Sequence, residues 1–498
     1  MGRALWRATI ILHRYLGVAL GLLMLGWFLT GIVMMYVAYP ELDRVERLKT
    51  LPPIAWQSCC SLETLGIEGD VLIRGAGIET IGGEPALFLR PDGAPPRIAS
   101  LSPSGPVIQL DEAHARATAF AAAERVLKSD AMNASLDLIE RDQWTVSGTY
   151  GEHRPMYRYS FDDADGTTIY VSGNTGQVVL YTTASERFWN WLGSVPHWIY
   201  FTSLRQDGPL WTQTVIWLSL FGGFLTLIGI VLGVMQFRRF PSGRYSPYRG
   251  WFYWHHITGL VFGVITLTWV ISGTFSMTPF GFLQGSPPRG EAARLFGESP
   301  KWSEVRQSLA AIRDNPPVPG IVELRTSIFA SKLFWIASDA DGKQTRLDAA
   351  GRLAPVSAEE LRDAASRAAG DAPILIQETI TEEDAYYYSH HEEVVLPAYR
   401  VSLNDPARTT YYFDPTTLSL VNRVDATSRQ SRWLFEGLHQ LDFTAALRWR
   451  PLWDVVMILL LLGGIAVTGT GTWLGYLRIK RDLSFIRRAR AAAPNSAE

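Results

Sequence analysis

Four of the nine histidines in this 498-residue chain stand where an imidazole is costly. His13 and His255 each lie about one turn inside a long apolar stretch. His197 and His439 precede two further stretches, in segments crowded with Phe188, Trp189, Trp191 and Trp198 on one side and Trp433, Phe435 and Phe443 on the other. An ionisable side chain in or against hydrocarbon is a functional candidate by default. Two facing imidazoles in an apolar helical bundle make an axial pair for a b-type haem, whose potential the protein sets through ligands and burial. Taken singly, each histidine also reads as a snorkelling interfacial residue. His256 rivals His255, because adjacent side chains point about 100° apart on a helix.

The four fall into two pairs at one spacing. His13 and His255 are 242 positions apart (255 − 13), and so are His197 and His439. The same offset relates Gly17, Gly21, Gly31, Trp27 and Met35 to Gly259, Gly263, Gly273, Trp269 and Met277. It also relates Trp211, Gly222, Thr226, Gly229 and Gly233 to Trp453, Gly464, Thr468, Gly471 and Gly475. One unbroken register over so many glycine, tryptophan and histidine positions implies an internal duplication. The repeated glycines near His13 and His255 allow close helix approach or room for a flat macrocycle. From His13 to the far end of its stretch is about 25 residues, near 37 Å, so one haem cannot serve both pairs. The expectation is two haem b groups per chain, one near each membrane face, with Trp27 and Trp269 between or beside them. Arg14 and Arg249 at one level, and Arg205, Arg448 and Arg450 at the other, are candidate partners for haem propionates; many of them also serve membrane orientation.

The elements that must position these residues are legible in composition. The chain is 47% hydrophobic with 18 Trp and only 19% charged, which excludes disorder, collagen and a disulfide scaffold. A net charge of −2 leaves no basic footprint for nucleic acid. Four stretches, residues 10–38, 210–237, 252–277 and 452–477, are long enough to span a bilayer. Arg3, Arg7 and Arg14, then Arg238, Arg239, Arg244 and Arg249, then the basic tail from Arg478 onward, all fall on one side of these spans, so both termini are expected to be cytoplasmic with two large loops outside. The chain then divides into 1–39 (first transmembrane helix), 40–187 (first outer domain), 188–240 (interfacial segment and second helix), 241–279 (cytoplasmic link and third helix), 280–431 (second outer domain), 432–480 (interfacial segment and fourth helix) and 481–498 (cytoplasmic tail). The fold class is an α-helical four-span membrane bundle from an internal duplication, with two outer α+β domains.

In the first outer domain an Ala-rich amphipathic helix over 111–127 precedes strands near 156–161, 168–171 and 177–181. In the second, a helix near 358–369 precedes strands near 399–403 and 410–413. The only cysteines, Cys59 and Cys60, are adjacent; in an oxidising compartment their one intramolecular pairing is a strained vicinal disulfide, and two half-buried thiols is the favoured reading. His390 and His391, amid Glu382, Glu383, Asp384, Glu392 and Glu393, form a weak divalent-metal candidate; with no fixed ligand spacing, a solvated acidic loop is the favoured reading. No dinucleotide fingerprint, P-loop, zinc-protease motif or nucleophile elbow occurs. Electrons must therefore come from a membrane quinol or a separate reductase.

The span His13…Gly17…Thr30-Gly31, the run from Tyr170 to Val178 through Ser172-Gly173-Asn174-Thr175-Gly176, and the segment Leu434…His439 resemble the PepSY-associated transmembrane helix family over nearly the whole chain. The second copy departs at Leu418, where the turn glycine is expected, which implies a differently shaped turn. The resemblance implies PepSY-like outer domains in the periplasm and a multi-pass protein of the bacterial inner membrane. It also implies a haem-dependent oxidoreductase of the ferric-siderophore reductase type, with a ferric siderophore or other periplasmic ferric chelate as its acceptor. The alternative is a non-redox PepSY membrane protein that binds or regulates a periplasmic partner. A transporter of the intact chelate fits least, since the spans carry neither broken helices nor an embedded acidic pair.

Overall fold

A computed structural model describes the chain except residues 1, 57–58, 61, 63–65, 103–109, 128–132, 242, 244, 286–289, 317–318, 390–393 and 493–498. It resolves into two compact units, residues 1–39, 188–284 and 428–498 in one, and 40–187 with 285–427 in the other.

The first unit is built on four helices long and apolar enough to cross a membrane: Arg3–Met34, Gly208–Gln236, Trp251–Phe275 and the Leu452–Ile486 part of a longer helix. Each is apolar all round yet buries only part of its surface, leaving Leu22, Val261, Val264 and Leu459 exposed. A helix of that kind needs hydrocarbon as its solvent. The chain is a membrane protein. The helices pack in a ring, first on second, second on third, third on fourth and fourth on first. Small residues set the close contacts. A Cβ at Gly21 would stand 3.1 Å from Thr472 Oγ1, and one at Gly263 3.0 Å from Ile230 Cγ1. Asp207 caps the second helix by accepting from the Leu210 amide, with Pro209 in the first turn.

The second unit holds three antiparallel sheets. Strands Ala134–Ile139, Met156–Phe161, Thr168–Ser172 and Val178–Thr182 lie in chain order in one. Strands Ile374–Ile380, Ala398–Leu403, Thr410–Phe413 and Leu420–Val424 repeat that order in another. Each carries an alanine-faced helix, Glu112–Val126 and Ala358–Ala369, whose small side chains let it lie close on the sheet. The helices and strands read from the sequence match these elements to within a residue or two. The third sheet was not anticipated. It has six strands and joins the two segments, because Ile73–Ile81 pairs with Ile321–Phe329, Gly77 opposite Arg325 and Glu79 opposite Glu323. Arg47 bridges Glu79 and Glu323 across that seam, and Arg44 also binds Glu323. Although burial opposes it, the two guanidinium groups hold the Glu323 carboxyl below its ordinary range.

Two expectations need correction. Leu418 does not reshape its turn: its φ of +62° matches the +67° of Gly176, and both amides bond back four residues at 2.8 Å, to Asp414 O and Ser172 O. The turn keeps its form because the Leu418 side chain is buried among Phe413, Tyr411 and Ala365, which offsets the left-handed strain. Cys59 and Cys60 are joined to each other rather than standing as thiols, and both are buried in the core around Trp302 and Trp335. His390 and His391 lie outside the described residues.

Candidate functional site: two imidazole pairs

Within the helical unit the four histidines meet in two pairs. His13 on the first helix faces His255 on the third, ring centroids 6.3 Å apart and planes 33° apart. His197 and His439, on short helical turns leading into the second and fourth helices, face each other at 6.4 Å and 74°.

The backbone dictates which nitrogen each ring presents. His13 Nδ1 lies 3.2 Å from Leu225 O, and His255 Nδ1 3.2 Å from Val467 O. His197 Nδ1 lies 3.1 Å from Trp27 O, and His439 Nδ1 3.1 Å from Trp269 O. A carbonyl only accepts, so each Nδ1 carries the proton and each Nε2 keeps a lone pair. Hydroxyls reinforce this at three sites. Thr470 Oγ1 lies 3.1 Å from His255 Nδ1, Thr30 Oγ1 3.0 Å from His197 Nδ1 and Ser272 Oγ 3.1 Å from His439 Nδ1. All three hydroxyls donate their own protons to carbonyls of their helices, so they too accept from the imidazole. This is the arrangement of a metal-bound histidine, whose second nitrogen is fixed by a backbone or side-chain acceptor.

The anchors obey the spacing of the histidines. Leu225 and Val467, Trp27 and Trp269, and Thr30 and Ser272 are each 242 positions apart. So are the glycines against the rings. A Cβ at Gly229 would come 2.7 Å from His13 Cε1, and one at Gly471 3.0 Å from His255 Cε1. Gly31 and Gly273 abut the Cε1 atoms of His197 and His439 at 3.7 and 3.3 Å in the same sense. In the sequence Gly229 and Gly471 stand only as repeat-related positions, and nothing there marks the four carbonyls. The shared offset was the available signal for the glycines; a carbonyl carries none.

The pairs fit an axial haem iron. A metal–imidazole bond of about 2.0 Å, with about 1.2 Å from ring nitrogen to centroid, puts two opposed rings roughly 6.4 Å apart. Gly17 and Gly259 lie four residues beyond His13 and His255 on the same helix faces, and a Cβ at either would meet nothing within 4 Å. That is space a side chain would fill beside the first pair. Trp27 lies 14 residues from His13, about 21 Å along the helix, so the second pair is nearer the first than the span length implied. Trp269 stands beside that pair, its Nε1 donating to His439 O at 2.8 Å.

The other candidates are placed as follows. His256 is buried with both nitrogens engaged, Nδ1 2.8 Å from Ser246 Oγ and Nε2 2.9 Å from Gly233 O, and so faces away from His13. Arg448 binds Asp442 at 2.7 Å, Arg450 donates to Met35 O, and Arg205 lies over the Tyr200 and Trp211 rings. Arg14 and Arg249 are exposed. Among the described residues no group of three or more His, Cys, Asp or Glu gathers to hold a metal ion.

A family model described as a PepSY-associated TM region matches residues 10–478. No curated protein matches the chain.

Proposed function

Because this chain belongs to the PepSY-associated TM family, we propose that it is a di-haem reductase of the bacterial inner membrane that passes electrons outward to a periplasmic ferric chelate, such as a ferric siderophore. The observation that carries this reading is the matched geometry of two imidazole pairs at 6.3 and 6.4 Å, every Nδ1 turned to a backbone carbonyl. A bound haem b supplies one-electron chemistry by cycling its iron between the ferric and ferrous states. His13 and His255 would hold one such group, and His197 and His439 the other. The carbonyls fix each ring's tautomer and direction and make its Nε2 a better donor. Between the two levels Leu20, Met24, Phe28 and Val270 are buried, so that stretch excludes water.

In this reading the 242-residue offset is an internal duplication, each half contributing a span, a PepSY-like segment and a second span. The arginines at the His13 end place it at the cytoplasmic face by the positive-inside rule. Both termini are then cytoplasmic, and the sheet unit is periplasmic. A quinol or a separate reductase supplies the electrons. Hard oxygen donors that grip Fe³⁺ hold the less charged Fe²⁺ more weakly, so one-electron reduction would release iron for import.

The test is a reduced-minus-oxidised visible spectrum of the purified protein with haem stoichiometry. About two low-spin b haems per chain are expected, falling to about one in either His13→Ala or His439→Ala. Absence of haem from the folded protein would sink the reductase and leave partner binding by the sheet unit as the remaining function.

A further inference from the structure

We propose that a cavity at the His13–His255 end of the helical unit is the electron-donor site, and that its occupant is a membrane quinol. This deepens the haem reading above and rests on it. The cavity, about 720 Å³, lies where the second long helix ends and the third begins, walled by Phe237, Tyr245, Ser246, Tyr248, Tyr253 and Ile257. Its size is that of a small-molecule site, and its lining mixes aromatic rings with polar groups, Ser246 and Arg249 among them.

Three observations select the ligand. Tyr253 and Ile257 flank His255 by two residues on either side, so the cavity lies within about 3 Å of that ligand's level along the helix. The Phe237 and Tyr245 rings are stacked at 5.5 Å and 21°, presenting a flat aromatic slab against which a quinoid ring can stack. The polar contact is Ser246, which is 2% exposed. His256 Nε2 donates to the Gly233 carbonyl, so its Nδ1 accepts the Ser246 hydroxyl proton; the Ser246 oxygen accepts from the Tyr248 amide at 3.3 Å and keeps one lone pair for a ligand O–H. Nearby, Trp251, Phe252 and Trp254 are all more than half exposed, an aromatic belt at the level where lipid meets water. A lipid-soluble two-electron donor reaches that level directly, and the chain has no nucleotide or flavin motif of its own.

The step balances. A bound quinol loses two electrons and two protons and leaves as quinone. The protons pass to water at the cavity mouth. With haem bound, His13 and His255 would hold the group that takes these electrons one at a time, so one quinol would match two ferric ions of the chelate.

The test uses the full chain in detergent with duroquinone and duroquinol as probes. Intrinsic tryptophan fluorescence should be quenched saturably by duroquinone in the native protein, and binding should weaken about five- to tenfold in Tyr245→Ala, with a comparable loss in Ser246→Ala. Tyr245 is 52% exposed, so its truncation leaves the fold intact. Anaerobically, duroquinol should reduce the haem of both variants correspondingly more slowly than that of the native protein, while dithionite reduces all three alike. Unsaturable quenching, native-like binding in both variants, or equal quinol-driven rates would each overturn the site. Saturable, variant-sensitive binding to a protein without haem would keep the site and overturn the reductase reading instead.

Discussion

His197 and His439 face each other with ring planes 74° apart, whereas His13 and His255 are inclined by only 33°. Axial imidazole orientation shapes the ligand field of a low-spin ferric haem. Near-parallel rings give an ordinary rhombic signal, and near-perpendicular rings a strongly anisotropic one with a large principal g value. Frozen-solution electron paramagnetic resonance of the oxidised protein should show both species in equal amount. His439→Ala should remove the anisotropic signal and His13→Ala the rhombic one. A single signal type, or loss of the wrong signal, contradicts the assignment of angles to pairs.

The glycines around the first pair divide into two kinds. Gly229→Ala puts a methyl group 2.7 Å from His13 Cε1 and forces the ring off its line. Haem content should fall from about two to about one per chain, since a misplaced axial ligand loses 10–100-fold in affinity. Gly17→Leu meets nothing within 4 Å at its Cβ, so the haem-free protein should melt as the native does. The same substitution should nevertheless lower haem content, because the side chain enters the space beside His13. Unchanged haem content in Gly17→Leu would mean that this face holds no macrocycle.

At the paired turns, adding a side chain in one and removing it in the other should both cost stability. A Cβ at Gly176 would stand 2.7 Å from Ile81 and 2.8 Å from Leu110, at φ +67°. Gly176→Ala should cost about 1–3 kcal/mol from strain and overlap together. Leu418→Gly relieves about 1 kcal/mol of left-handed strain but removes a buried leucine worth about 1.5–3 kcal/mol, for a net loss near 1 kcal/mol. Denaturant unfolding of the two variants measures both; a stabilised Leu418→Gly would show that packing does not hold that turn.

The Glu360 carboxyl is pulled down to about 2, chiefly by hydrogen bonds from Arg346, whose side chain is 1% exposed. A carboxyl lowered on folding contributes stability above its unfolded pKa of 4.5 and loses it as pH falls through about 2. Glu360→Gln should therefore destabilise the sheet unit at pH 7 by about 1–3 kcal/mol, discounted for partial exposure. The difference should shrink steadily below pH 4.5. An effect independent of pH across that window would assign the loss to the helix cap that Glu360 shares with Ser357 rather than to its charge.

The sequence carried more of the helical unit than of the sheet unit. Apolar runs of bilayer length announce themselves, and helices such as Ala358–Ala369 show their alanine face and their Ser357 cap in one dimension. The histidines were legible because a polar group in an apolar run is conspicuous and the 242 offset paired them. The six-stranded sheet was not, since Ile73–Ile81 and Ile321–Phe329 are separated by some 240 residues and nothing local marks their pairing. Leu418 misled because side-chain type predicts backbone preference only where packing does not override it.

By itself, then, the sequence determined the four apolar helices, the spacing that relates one half to the other, and which four histidines stand in costly places. These are properties of residue type and period, and they survive without coordinates. Only the tertiary structure decided that each imidazole turns Nδ1 to a carbonyl, that Gly229 and Gly471 seat the rings, that His256 faces away and that the second pair lies level with Trp27. Each of those depends on a contact with a different helix, and a backbone carbonyl has the same chemistry whatever residue carries it.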